Sequence, residues 1–191
     1  MDDAARKILA KYLEDMHSLE SHGLQPIRRQ LSEGQMEGHP EALAAVRDFE
    51  GVLQHHVETL DARLKQVGTS PTTAVQDAAA AMAGIVAGFY NQIRSEAVSK
   101  SIRDDYTFFS HCAVSYLMLA VTARSLGDHD TEELAETGYR DHARLVMDID
   151  RLMPTLVVQE LKQDQLPAQE VRDWAQGIVR TAWSRASGTA V

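Results

Sequence analysis

The 191-residue chain is long enough for one well-filled domain, and 44 % hydrophobic with 25 % charged residues is ordinary for a globular protein. A formal charge of −9 excludes a general nucleic-acid binder, which needs a basic stripe to neutralise phosphates. The single cysteine, Cys112, excludes an intramolecular disulfide and any Cys-rich metal site.

The acidic opening residues lack the apolar run of a signal peptide, and the most apolar stretch, 112–123, is roughly half the length that spans a bilayer. The expectation is a cytoplasmic protein with no membrane partner. Strand signals are absent, and the five prolines are read as lying at or between helix ends.

The first predicted helix covers 3–31. Its stripe, Leu9, Leu13, Met16, Glu20, Leu24, Ile27 and Leu31, is spaced in threes and fours as one helical face requires. One stripe member, Glu20, is a carboxylate. A polar loop with two glycines follows, and Pro40 opens a second helix over 41–67, where a missing N–H costs nothing. Its stripe is Val46, Phe49, Leu53, Val57, Leu60, Leu64 and Val67. At about 100° per residue, Glu50 and His56 lie on the shoulders of that stripe, while His55 and Glu58 point away. Gly68 stops the helix and 69–73 is turn-rich. A third predicted helix, 73–97, is rich in alanine and suited to close helix approach.

The fourth predicted helix, 99–126, is apolar almost all round and reads as the central rod of a bundle; its richest face is Ile102, Asp105, Phe109, Cys112, Tyr116, Leu119 and Ala123. Asp105 is expected to pair with Arg103 or to cap a loop. After a Gly-Asp turn, the fifth helix carries Leu134, Gly138, His142, Leu145, Ile149, Leu152 and Leu156 on one face, so His142 takes a core place. From Gln163 a polar turn leads to a short helix whose apolar side, Val171, Trp174, Ile178 and Ala182, should dock on the bundle or meet a second subunit.

Short connections make antiparallel neighbours, so these elements predict an all-α fold: two antiparallel hairpins with a long crossover containing an extra helix, the ferritin-like form of a four-helix bundle, plus a C-terminal helix. The bundle is assigned to 1–162, with 163–191 as docking helix and tail of the same domain. Residues 12–20, 77–84, 89–105, 116–128 and 133–153 resemble the ferritin-like proteins of the bacterial stress-associated group, often first described as domains of unknown function. The resemblance covers about residues 9–161 and implies a bundle, a homodimer or higher homo-oligomer, and in many members a two-metal carboxylate centre.

Such a centre needs carboxylates and imidazoles converging at mid-depth, a Glu from each of two helices and Glu-x-x-His from each of two others. Glu20 matches the family's first-helix Glu. The second helix has no Glu-x-x-His, the fourth shows Ser110 and Ala113 where acids are wanted, and in the fifth the acid is at best Asp141, with Arg144 three residues later. The di-iron site therefore reads as degenerate. At about 1.5 Å per residue, Glu20, His56, His142 and Tyr116 could share one layer. Three readings stand: a hydrogen-bonded network, a mononuclear site of Glu20, His56 and His142 with Glu50, or an intact centre. The expected function is a non-catalytic bundle acting in assembly or stress-related binding. The alternative is an oxidoreductase or iron-handling protein binding iron, manganese or another divalent metal. With neither a phosphate-binding loop nor an oxyanion hole, no small-molecule substrate is indicated.

Overall fold

The computed structural model describes residues 2–34, 36–68, 97–161 and 167–186, together with Gly84, Val86 and Ala87. Among the described residues the long helices are α1 (Asp3–Ser32), α2 (Pro40–Val67), α3 (Val98–Ser125), α4 (His129–Leu161) and α5 (Ala168–Ala186). The predicted helix over 73–97 otherwise lies outside them.

Local chemistry sets the ends. Asp2 caps α1 by accepting the Ala5 N–H at 2.8 Å, and Asp128 does the same for Thr131 at 2.9 Å. Gly68, at φ +83°, closes α2 in the left-handed conformation that a side chain would disfavour. Pro26 and Pro154 correct the reading of the prolines, since both lie inside helices. Each leaves a carbonyl one turn earlier without its intrahelical donor, and the packed faces carry the helices through.

Cross-helix partners establish the topology. Arg28 reaches Glu50 and Gln54, and Glu20 meets His56, so α1 and α2 run antiparallel. His56 meets Asp141 while Arg63 meets Thr131, which makes α2 antiparallel to α4. The partners of α2 and α3 instead advance together: Phe49 packs on Phe109, and His56 on Tyr116. These two helices are therefore parallel, and a parallel pair needs a crossover running the length of the bundle. The fold is all-α, a ferritin-like four-helix bundle with an added C-terminal helix.

The stripes face inward largely as their spacing predicts. Leu9, Leu13, Ile27, Leu53, Leu60, Ile102, Phe109 and Leu119 are all buried. Asp105 is buried too, which corrects its expected pairing: it accepts from Gln30 Nε2 at 2.9 Å, while Arg103 pairs with Asp104. A helix-face position governs direction, and Asp105 shares its face with Ile102 and Phe109.

By length and composition α3 could cross a membrane. One face is nonetheless spent inside the bundle, and the other exposes Val114, Leu117, Met118 and Val121. The C-terminal helix packs on α4, and most of its predicted apolar side is exposed. Trp174 and Ile178 face outward while Val171 is half-buried, and Trp183 Nε1 donates to Asp150 Oδ2 at 3.1 Å.

Candidate metal centre

The four bundle helices each send one chemically active side chain to the same level: Glu20 from α1, His56 from α2, Tyr116 from α3 and His142 from α4. Glu20, His142 and Tyr116 occupy stripe positions, so the helical phase alone turns them inward. His56 comes in from the shoulder of α2 and is as buried as the rest.

Glu20 is the hub. Its Oε1 lies 2.6 Å from His142 Nε2 and 3.1 Å from His56 Nδ1, so two imidazoles share one carboxylate oxygen. The second nitrogen of His56, Nε2, lies 3.1 Å from Asp141 Oδ2. Flanked by a carboxylate on both sides, His56 must donate from both nitrogens, which makes it an imidazolium. Burial works against that charge, but Glu20 and Asp141 outweigh it and its pKa is raised. For Glu20, burial alone would raise the pKa; His142 and His56 reverse this and lower it to about 2. The hub is thus a carboxylate.

Aromatic rings surround this layer. Tyr116 stacks on His142 with centroids 5.5 Å apart and meets His56 edge-on at 5.4 Å. Phe109 closes the other side, 5.6 Å from His142. Burial and the Glu20 charge push the Tyr116 phenol well above its usual range, and the same two causes act on the neighbouring Cys112 thiol. Both stay protonated at neutral pH. Gly138 matters here: a Cβ there would lie 2.5 Å from the Tyr116 ring, so only glycine lets α4 come this close.

Glu50, the fourth candidate, is placed elsewhere. Its Oε1 accepts from Arg28 Nε at 2.9 Å at the bundle surface. The shoulder position points either way, and the nearby guanidinium takes the carboxylate outward. Asp141, the acid the sequence offers as a ligand on the fifth predicted helix, is instead the residue that holds His56. Arg144 turns away to Asp48 and Asp148, and Ser110 is spent on the Tyr106 carbonyl.

The donor set can be tested against metal chemistry. Ligand atoms of Glu20, His56 and His142 all lie within 4.8 Å of one another. Glu20 Oε2 and His142 Nδ1 are buried with no hydrogen-bond partner. Leaving a buried polar atom unpaired costs about 1–3 kcal/mol, so each of these two has a reason to take up a further partner. One carboxylate and two imidazoles fit a single divalent cation. They do not furnish a dinuclear centre, because among the described residues no second group of three donors exists and α3 supplies none. The cluster could form a degenerate metal site.

Between α2 and α4 a cleft of about 350 Å³ leads from the surface to this layer, with His56, Tyr116 and Gly138 at its floor. Sequence reasoning missed it. Its signal was a polar row on α2, His56, Thr59, Arg63 and Gln66, at three- and four-residue spacing.

Residues 4–162 match the family described as Domain of unknown function (DUF892). No curated protein matches the chain. A crystal structure of a protein from Xanthomonas campestris pv. campestris is similar, with a TM-score of 0.67 at 21 % identity, covering 85 % of this chain and 99 % of that one. At that identity the likeness speaks to the fold.

Proposed function

We propose that this chain, which belongs to the DUF892 family, is a non-catalytic ferritin-like bundle that holds at most one divalent cation and acts through assembly, in stress-related binding. Glu20, His56 and His142 would hold the cation, which would displace the proton that His56 Nδ1 donates to Glu20. When bound, it would supply a fixed positive charge and Lewis acidity at the bundle centre. The observation that carries this is the convergence of three buried donors, with one ligand atom each from Glu20, His56 and His142 within 4.8 Å of the others. The protein's own contribution is positional. Asp141 orients His56, Tyr116 and Phe109 sandwich His142, and the rings keep bulk water off the carboxylate.

The assembly half of the proposal rests on apolar surface. Val114, Leu117, Met118 and Val121 recur at three- and four-residue spacing along the outer face of α3, and α5 exposes Trp174 and Ile178. A contiguous exposed apolar stripe of this kind suits a homodimer or higher homo-oligomer in the cytoplasm.

A second reading, metal-dependent oxidation or iron handling at the same three side chains, draws support from the cleft that reaches His56 from solvent. One experiment separates the two. Protein purified without chelator is analysed for metal, then loaded with Fe²⁺ in air and with Zn²⁺ or Mn²⁺ while thermal unfolding is followed. The proposal expects no more than one equivalent bound and no oxidation-linked absorbance. Two equivalents or turnover of Fe²⁺ would establish the second reading. A chain that takes up none of these cations holds a purely hydrogen-bonded network.

A further inference from the structure

We infer that the cleft between α2 and α4 is a binding site for a small organic cation with primary ammonium groups, of the aliphatic diamine class. The inference does not rest on the metal reading: His56 is the one proposed cation ligand that lines the cleft, and the groups that would bind the guest are others. Size comes first. At about 350 Å³ the cleft falls at the small end of the range for small-molecule sites, and a bare metal ion would leave most of it empty.

The chemistry of the lining then selects the occupant. The hydroxyls of Thr59 and Thr137 donate to the backbone carbonyls of His55 and Glu133, at 2.8 and 3.0 Å. With their hydrogens spent, both threonines have only lone pairs left to offer. The carboxylates of Asp130 and Glu133 line the same cleft and are acceptors as well. Arg63 is the one guanidinium in the lining, and it is already committed. Its Nε donates to Thr131 at 2.8 Å, its Nη2 to Asp128 at 2.6 Å, and its Nη1 to Gln66 and Asp130. Glu133 is exposed and forms no ion pair among the described residues.

A wall rich in acceptors calls for a guest rich in donors. An ammonium group has three donors and no acceptor, whereas a phosphate or carboxylate would meet lone pairs and negative charge. His56 does not spoil this, since its positive charge is bracketed by Glu20 and Asp141. Apolar Ala62 and Leu134 leave room for the methylene chain that joins two ammonium groups.

The test uses the full chain, putrescine as the probe and butanediol as its uncharged counterpart, at constant ionic strength. Binding is followed by calorimetry and by the ring-proton NMR signals of Tyr116 and His56. Putrescine is expected to bind saturably and shift both rings, while butanediol does neither. Glu133→Gln, a surface change that leaves the fold intact, is expected to weaken putrescine roughly fivefold, the usual weight of a partly exposed ion pair. Equal binding of butanediol, or an affinity unmoved by Glu133→Gln, would overturn the assignment. So would saturable putrescine binding that leaves the Tyr116 and His56 signals in place.

Discussion

Replacing Glu20 and His142 by leucine, singly and together, probes the hub directly. Glu20 is fully buried and its Oε1 serves two imidazoles. Glu20→Leu therefore strands His142 and leaves the His56 imidazolium with Asp141 alone, and breaking a buried pair in this way costs about 3–5 kcal/mol. His142→Leu removes one of the two partners of Glu20 but leaves the other, so about 2–3 kcal/mol is expected, the weight of one charge-assisted hydrogen bond and its orphaned acceptor. Together the two leucines replace a polar contact by hydrocarbon of similar volume, which is often close to neutral. The unpaired Nδ1 of His56 then accounts for most of the remaining loss. The double variant should fall short of the sum of the singles by about 1–3 kcal/mol. Urea unfolding followed by circular dichroism, with the slope checked for constancy, reads all three. Additivity within about 0.5 kcal/mol would show that the 2.6 Å contact carries no coupling, and the layer argument would fail with it.

The same hub sets a pH dependence. Because the pKa of Glu20 is lowered from 4.5 to about 2, its stabilisation is complete above the unfolded value and is lost as pH falls from about 4.5 towards 2. That shift corresponds to roughly 3 kcal/mol. The raised pKa of His56 acts on the other limb: its contribution is complete below the unfolded 6.5 and disappears as pH rises through the folded value. Urea midpoints across this range should therefore fall on both sides, and Glu20→Leu should flatten the acid limb. Three glycines give a test of packing by sign. Helical Gly51 has nothing within 4 Å of an added Cβ, so Gly51→Ala should raise stability by about 0.5–1 kcal/mol. In Gly23→Ala the new Cβ would lie 1.9 Å from Phe108, and in Gly138→Ala 2.5 Å from Tyr116, so both should lose about 1–3 kcal/mol. On the surface, Leu117→Glu with Val121→Glu should convert a dimer to monomer in light scattering with the fold intact. A wild-type chain already monomeric at micromolar concentration would count against assembly through α3.

What could be read from the sequence follows from what helical phase can and cannot say. Phase places a residue on a face, and so Glu20, Tyr116 and His142 were legible as one inward layer. It does not choose among partners on neighbouring helices. Glu50 and His56 sit on opposite shoulders of one stripe and looked equivalent, yet Arg28 takes one to the surface and Glu20 takes the other to the core. Asp105 shows the same limit in reverse. Its nearest cation in sequence, Arg103, is on a different face, while Gln30, 75 positions earlier, lies opposite it. The parallel run of α2 and α3 was inferred from connection lengths, and the advancing pairs Phe49–Phe109 and His56–Tyr116 supply its geometry. The cleft was harder to see, because it exists only where the polar row on α2 faces Thr137 and Gly138 on α4.

The polar layer is not what holds this bundle together. Rings and aliphatic side chains above and below it, Phe49, Phe108, Leu53 and Leu119 among them, are fully buried, and an apolar layer at the same level would be at least as stable. A hydrogen-bonded network alone would also be expected to pair all its atoms, since half-satisfied buried networks are costly. Here the two unpaired atoms belong to the hub carboxylate and to the imidazole closest to it. One ligand atom each from Glu20, His56 and His142 lies within 4.8 Å of the others, close enough that a single divalent cation could draw on all three. The three convergent donors are therefore what make this layer one that could hold a cation. They also make occupancy measurable without any assumption about turnover: a cation held by these atoms must raise the unfolding midpoint in proportion to the logarithm of its concentration, and in Glu20→Leu it must not.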